Sequence, residues 1–336
     1  LAQTIRISPE QMQGEFLRIL KTHGFNADDA EQCARIFTDN SLDGVYSHGV
    51  YRFKRFIDYI KKKLIDVSAR PVIVSSHNAV EQWDGKLGPG PLNALFCANR
   101  VTELAQEYGI GCLALAHTNH WMRGGTYGWL AAKKGFIYIA WTNTIGNMPA
   151  WGAIDQRLGN NPLILAVPYK EEAIVLDMAM SQFSYGKIEE YKIKGESLPM
   201  AGGFDTQSQL TRDPVEILKS ERALPVGYWK GAGLSLLLDI LATVLSAGLS
   251  TSQISQQKSE YGVSQVFIAI DIKKLNNFPA IDNTVQNIID DYLQSVPQNE
   301  KSKIIYPGQR ILETRAQNSK NGIPVTKEIW DMIASL

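Results

Sequence analysis

Cysteine is scarce in this chain: Cys33, Cys97 and Cys112 are the only three in 336 residues, and no two form a CxxC. An odd number without metal or redox spacing excludes a disulfide framework. Their apolar neighbours predict buried, reduced thiols of a cytoplasmic protein, with one reactive cysteine as the weaker alternative. Charge of one sign is also lacking, since 34 Lys+Arg meet 34 Asp+Glu. Without surplus cations to neutralise phosphates, general nucleic-acid binding has no electrostatic basis. No apolar run approaches the roughly 20 residues of a membrane helix. The longest, Leu234 to Leu249, carries Asp239 and reads as a core helix. The opening LAQTIRISPEQ is polar and runs into a helix start, unlike a secretory leader. GxGxxG, GxSxG and internal repeats are missing too, which leaves a Rossmann turn, a P-loop and a hydrolase elbow unsupported. What is present, 44% hydrophobic residues over a length that suggests about two domains, points to a globular protein with a small-molecule partner.

Ser8-Pro9 is an N-cap and first-turn signature, followed by Met12, Phe16, Ile19 and Leu20 at helical spacing. A second helix starts near Asn26 with Ala30, Cys33, Ala34 and Phe37 on one face, and a third covers Tyr51 to Lys63. From Pro71 the period changes. PVIVSS, AVEQWDG, GCLALAH, FIYIAWTN, LILAVPY, AIVLDMAM and SQVFIAIDI read as strands, with helices at Pro91–Tyr108, Tyr127–Lys134 and GLSLLLDILATVLSAG. Helices return at Thr284–Val296, Gly308–Asn321 and Thr326–Leu336. This order predicts an α/β protein in which a sheet domain, 71–283, is inserted between helical segments, 1–70 and 284–336, that pack as one unit. Gly186 to Gln209 reads as a long surface excursion.

His48, in the loop SLDGVYSHGV, lies four residues before Arg52. An imidazole suits proton transfer near neutral pH, and a guanidinium fork suits a carboxylate, so the pair fits a 2-oxo acid; a surface His beside a helix-start Arg is the commoner meaning of the spacing. His117 and His120 stand at i, i+3 without an acid or thiol to complete a ligand set, so no metal is expected. Arg123-Gly124-Gly125 reads as a cationic turn open to a ligand, or as an aromatic-capped surface turn. Asp177, inside an apolar strand, needs a donor: His48, whose pKa it would raise, or backbone at a strand end. Trp229-Lys230-Gly231 precedes a helix, where a phosphate could dock, or is an ordinary Gly-rich loop. A Ser47/His48/Asp177 triad is disfavoured because adjacent Ser and His side chains are poorly placed to bond each other.

At these residues the chain resembles the malate/L-lactate dehydrogenase type 2 family, through GVYSHGVYRF, AVEQWD, NHWMRGGTYGW, MPAWGA, DMAMSQFSYGK, GYWKGAG and YGVSQVFIAI. The resemblance implies a non-Rossmann nicotinamide-binding sheet, NADH or NADPH as cofactor, a homodimer, and reduction of a 2-oxo acid, closest to members acting on a sugar acid. Malate, lactate or a cyclic imino acid are the alternatives within the class. A hydrolase or a non-catalytic ligand-binding protein are those outside it. It implies His48 as proton donor, Asp177 as its support and Arg52 on the substrate carboxylate, with Ser47 and His120 on substrate hydroxyls. Cofactor contacts are implied for Ala173, Ile174, Val175, Leu176, Asp177, Met178 and Ala179, for Trp229 and Lys230, and for Gly308, Gln309 and Arg310. Where many relatives read PGxE, this chain has Pro307-Gly308-Gln309-Arg310.

Overall fold

The computed structural model describes residues 3–300 and 302–336; Leu1 and Ala2, at the start of the polar opening, lie outside the described residues. The chain opens with β1 (Thr4–Ile7), α1 (Pro9–Thr22), α2 (Ala27–Leu42) and α3 (Val50–Lys61). Ser8 and Asn26 cap α1 and α2 through their side chains, as their positions predict. Phe16, Phe37 and Phe53 form a tight aromatic cluster in which Phe16 stacks on Phe53 at 4.1 Å and Phe37 meets Phe53 edge-on at 5.1 Å. All three rings are fully buried.

Then come β2 (Val72–His77), β3 (Val80–Asp84), α4 (Gly90–Tyr108), β4 (Ile110–Thr118), α5 (Gly125–Lys133), β5 (Phe136–Thr142), β6 (Gly146–Pro149), β7 (Gln156–Gly159), β8 (Leu163–Tyr169) and β9 (Glu172–Met178). A small lobe follows, made of α6 (Tyr185–Lys194), β10 (Gly203–Phe204), β11 (Leu210–Thr211) and α7 (Pro214–Ser220). The chain ends with α8 (Trp229–Ser246), α9 (Thr251–Ser255), β12 (Val263–Asp271), α10 (Phe278–Leu293), α11 (Gln309–Asn321), β13 (Ile323–Thr326) and α12 (Lys327–Ala334).

Seven strands form one mixed sheet in the order β2-β3-β4-β12-β5-β8-β9, in which only β3 and β4 run parallel. Alternation sorts its side chains: Leu113, Leu115, Phe267 and Ala269 face α4 and α5, while Ala114 and Val266 face α8. Small residues let α4 lie close. A Cβ at Gly111 would stand 2.5 Å from Val101 O.

Four features depart from the sequence reading. The short strands β1 and β13 pair antiparallel, Thr4 opposite Thr326, and carry Ile7, Ile323 and Val325 into the core of α1–α3. Gly186 to Gln209 is no loose excursion, because Ile188, Leu198 and Ile217 give the lobe its own buried core. The last long helix before β12 begins at Trp229, not after a Gly-rich loop. Nor is it a core helix. Gly231, Ala232, Ser235, Leu238 and Ala242 face the sheet, but Leu236, Leu237, Ile240 and Val244 are exposed. Among the described helices, α8 is long and apolar enough to cross a membrane by length and composition.

Asp43, which caps the C-terminus of α2, joins the terminal helices to the sheet. It is buried between Arg123, which precedes α5, and Arg315 of α11, whose Nε and Nη2 donate to it at 2.6 and 2.9 Å. Asp43→Asn would leave the buried Arg123 guanidinium short of its counter-charge. The expected cost is about 3–5 kcal/mol of stability, read as a lower denaturant midpoint; a loss under about 1 kcal/mol would show that the ion pairs do not hold the two parts together.

Candidate active site

Between α2 and α3 the chain makes a tight helical turn at Tyr46–His48. Gly49 allows it: a Cβ there would lie 2.2 Å from Ser41 Oγ, which accepts from Val50 N at 2.8 Å and so starts α3. Arg52 follows in the first turn of α3, near the same cleft as His48 and His120. His48 and His120 are half-buried, with ring centroids 5.7 Å apart. Ser47 Oγ lies 2.9 Å from His48 Nδ1, so adjacent Ser and His do bond, contrary to the sequence expectation. Met122 N donates to His120 Nδ1 at 3.0 Å, which leaves the proton of the neutral ring on Nε2. Arg52 has no side-chain hydrogen bond or ion pair among the described residues, and is available to an anion.

Asp177 does not hydrogen-bond His48. Residues 173, 175 and 177 share the α5 face of β9, and there Asp177 Oδ2 accepts from Gly125 N, at the start of α5, at 2.7 Å. The carboxylate is solvent-accessible but lies deep between protein walls, and that burial raises its pKa against the pull of Arg123 and Gly125 N–H. From Gly125 the link to His48 runs through the next residue: Thr126 Oγ1 donates to Asn40 Oδ1 at 2.6 Å, and Asn40 Nδ2 donates to His48 O at 3.0 Å. The expected rise in the His48 pKa is also reversed. Burial, Arg52 and Arg123 together push it down to about 4. With Asp177 elsewhere, no Ser/His/Asp triad is assembled.

The other expected residues separate into two places. His117 leans on Asp84 at 3.4 Å, and of the 117/120 pair His120 faces His48 in the cleft. Arg123 is buried against Asp43, so its turn offers no free cation to a ligand. Ala173 and Val175 of β9 are buried; Ile174, Leu176, Met178 and Ala179 are half-buried. Along β9, Val175 N donates to Pro307 O at 3.3 Å, and a Cβ on Gly308 would lie 3.1 Å from the Trp129 ring. Gln309 is engaged locally, accepting from Tyr306 N at 3.3 Å, and Arg310 is exposed. At the far end of β9, Val226 N donates to Met180 O at 2.7 Å and brings up the N-terminus of α8, where Trp229 and Lys230 are exposed. Two buried polar atoms beside this path have no partner among the described residues, Trp129 Nε1 and Ser181 Oγ. Open backbone, a helix N-terminus with a lysine and two unanswered polar atoms fit a nicotinamide dinucleotide.

A family model for malate/L-lactate dehydrogenase matches residues 7–334. The chain belongs to that family. It is 44% identical over 333 residues to 2,3-diketo-L-gulonate reductase of Escherichia coli (strain K12), covering 99% of this chain and 100% of that protein. Among solved structures, malate dehydrogenase from Entamoeba histolytica superposes with a TM-score of 0.93 at 24% identity, covering 99% of this chain and 97% of that one. Sulfolactate dehydrogenase from Methanocaldococcus jannaschii gives 0.89 at 27% identity, over 98% and 95%. This family member is thus an oxidoreductase with a mixed α/β fold. Sequence reasoning missed Asp43 and Arg315 as the partners of Arg123, and Glu260, a buried acid near Arg52 within the polar run QQKSEYG.

The low His48 pKa makes a prediction. Between about 4 and the ordinary 6.5 the unfolded chain binds this proton and the folded one does not, so the His48 contribution is whole above 6.5 and is lost as pH falls toward 4. The His48 ring in the free protein is expected to titrate near 4 by NMR and to move up when a monocarboxylate neutralises Arg52. A midpoint near 6.5 that ignores the carboxylate would contradict this electrostatic picture.

Proposed function

We propose that this enzyme reduces 2,3-diketo-L-gulonate to 3-dehydro-L-gulonate with NADH or NADPH. The observation that carries the chemistry is an unpaired Arg52 beside a pair of neutral histidines in one cleft; the choice of substrate is supported by the full-length relatives. Arg52 holds the C1 carboxylate. Its charge is then cancelled, His48 recovers basicity and takes up a proton, and it passes that proton to the C2 oxygen as the carbonyl is reduced. Ser47 orients the His48 ring and His120 Nε2–H donates to a substrate oxygen. Asp177 acts on His48 through the α5 backbone and Asn40 rather than by direct contact. The nicotinamide, when bound, supplies hydride to C2. Residues 173–179, Trp229, Lys230 and Gly308 hold it, with Gln309 and Arg310 contributing backbone; a sheet with one parallel pair supports a non-Rossmann mode of binding.

We further propose that 1–70 and 284–336 form the substrate-side domain and 71–283 the cofactor domain, and that the enzyme is a cytoplasmic homodimer acting without nucleic acid or membrane. The exposed apolar face of α8, continuous through Val244 with a groove at Val80, supports the dimer, since monomers rarely expose patches of that kind.

Two measurements test these readings. Nicotinamide absorbance should fall with 2,3-diketo-L-gulonate and not with pyruvate or oxaloacetate, and His48→Ala should lower kcat by about 10²–10⁴; silence with every oxo acid, or an unchanged kcat, sinks the mechanism. Val244→Glu should convert a dimer to monomers in sedimentation equilibrium; a variant that sediments like the parent places the contact elsewhere.

A further inference from the structure

Around Arg52 and His120 the cleft has further lining that the proposed reaction leaves unused. Its polar lining is Arg52, Arg55, Asn119, His120 and Glu260, and buried Phe56, Ile65 and Met122 supply an apolar wall. Asn119 is 2% exposed. Its Nδ2 donates to the carbonyls of Leu64, Leu87 and Gly88 at 3.1, 2.9 and 3.2 Å, which fixes the amide and leaves Oδ1 buried without a donor among the described residues. Glu260 is 8% exposed; one oxygen accepts from Ile145 N at 3.0 Å and the other has no hydrogen bond among the described residues. Arg55 Nη2 donates to Tyr59 OH at 3.1 Å.

Two cations and one carboxylate line this pocket. Once the substrate carboxylate is on Arg52, Arg55 and Glu260 balance, and a second carboxylate would leave an uncancelled negative charge. A bare methyl group would leave Asn119 Oδ1 and Glu260 unanswered. We propose that this pocket reads the far end of the substrate and selects a hydroxylated monocarboxylate, with hydroxyls donating to Asn119 Oδ1 and Glu260 and accepting from Arg55. The proposal rests on the reductase reading above and names the residues that set its substrate class.

Calorimetry with L-gulonate, L-lactate and L-malate tests it on the whole protein. Gulonate should bind about tenfold or more tighter than lactate. Glu260→Gln keeps an acceptor for Ile145 N–H but removes the charge, so the gulonate-to-lactate preference should shrink about tenfold while malate binds several-fold tighter. A purely structural Glu260 would weaken all three acids together, and that result overturns the proposal. Should that variant fail to fold, Arg55→Met decides: loss of the gulonate preference with weaker malate binding supports the pocket, and an unchanged preference refutes it. Gulonate preference without nicotinamide oxidation by any oxo acid would sink the reductase reading and leave the pocket standing. Oxidation without gulonate preference would sink the pocket alone.

Discussion

A single buried carboxylate ties this molecule together. Asp43 ends α2, and the two guanidinium groups that answer it come from opposite sides, Arg123 from the entry to α5 and Arg315 from α11. Removing Asp43 strands the Arg123 guanidinium in a place where water cannot replace it. The cleft depends on this arrangement, because the same few residues set the distance between the His48 turn and the start of α5. Thr126 reaches Asn40, and Asn40 holds the carbonyl of His48. Gly44, with φ +79, comes so close to α11 that a Cβ would lie 2.7 Å from Thr314 Cγ2.

The cleft is cationic and sheltered. Arg52 and Arg123 act on His48, Arg52 and Arg55 on His120, and burial works in the same direction on both rings. Such a site is poised for an anion: burial is the larger cause of the neutral imidazole, but an arriving anion relieves the Arg52 repulsion that adds to it, and on the proposed mechanism this couples binding to proton uptake. On the proposed mechanism His48 charges only when its substrate is seated and does not waste its proton on solvent.

Local signals were legible in the sequence where local physics decides. Ser8 and Asn26 act as caps, and LILAVPY is β8. The strands β1 and β13 were not legible, since four residues carry little periodicity and their partners lie at the other end of the chain. The residue types of the site were visible, but their partners were not. Asp177 needed a donor, and only the register of β9 against α5 shows it to be Gly125 N–H rather than His48. The apolar run of α8 looked like core because composition reports hydrophobicity and not what covers it.

Pairing of Thr4 with Thr326 also has a consequence for synthesis. Ile323, Val325, Trp330 and Ile333 belong to the same core as Phe16, Phe37 and Phe53, so the first helices made on the ribosome cannot finish packing until the last ones emerge. Contacts of such sequence separation close slowly. The His48 turn is therefore among the first parts translated and among the last to be set, and a nascent chain stopped short of α11 holds Arg52, His48 and His120 yet lacks the frame that aligns them.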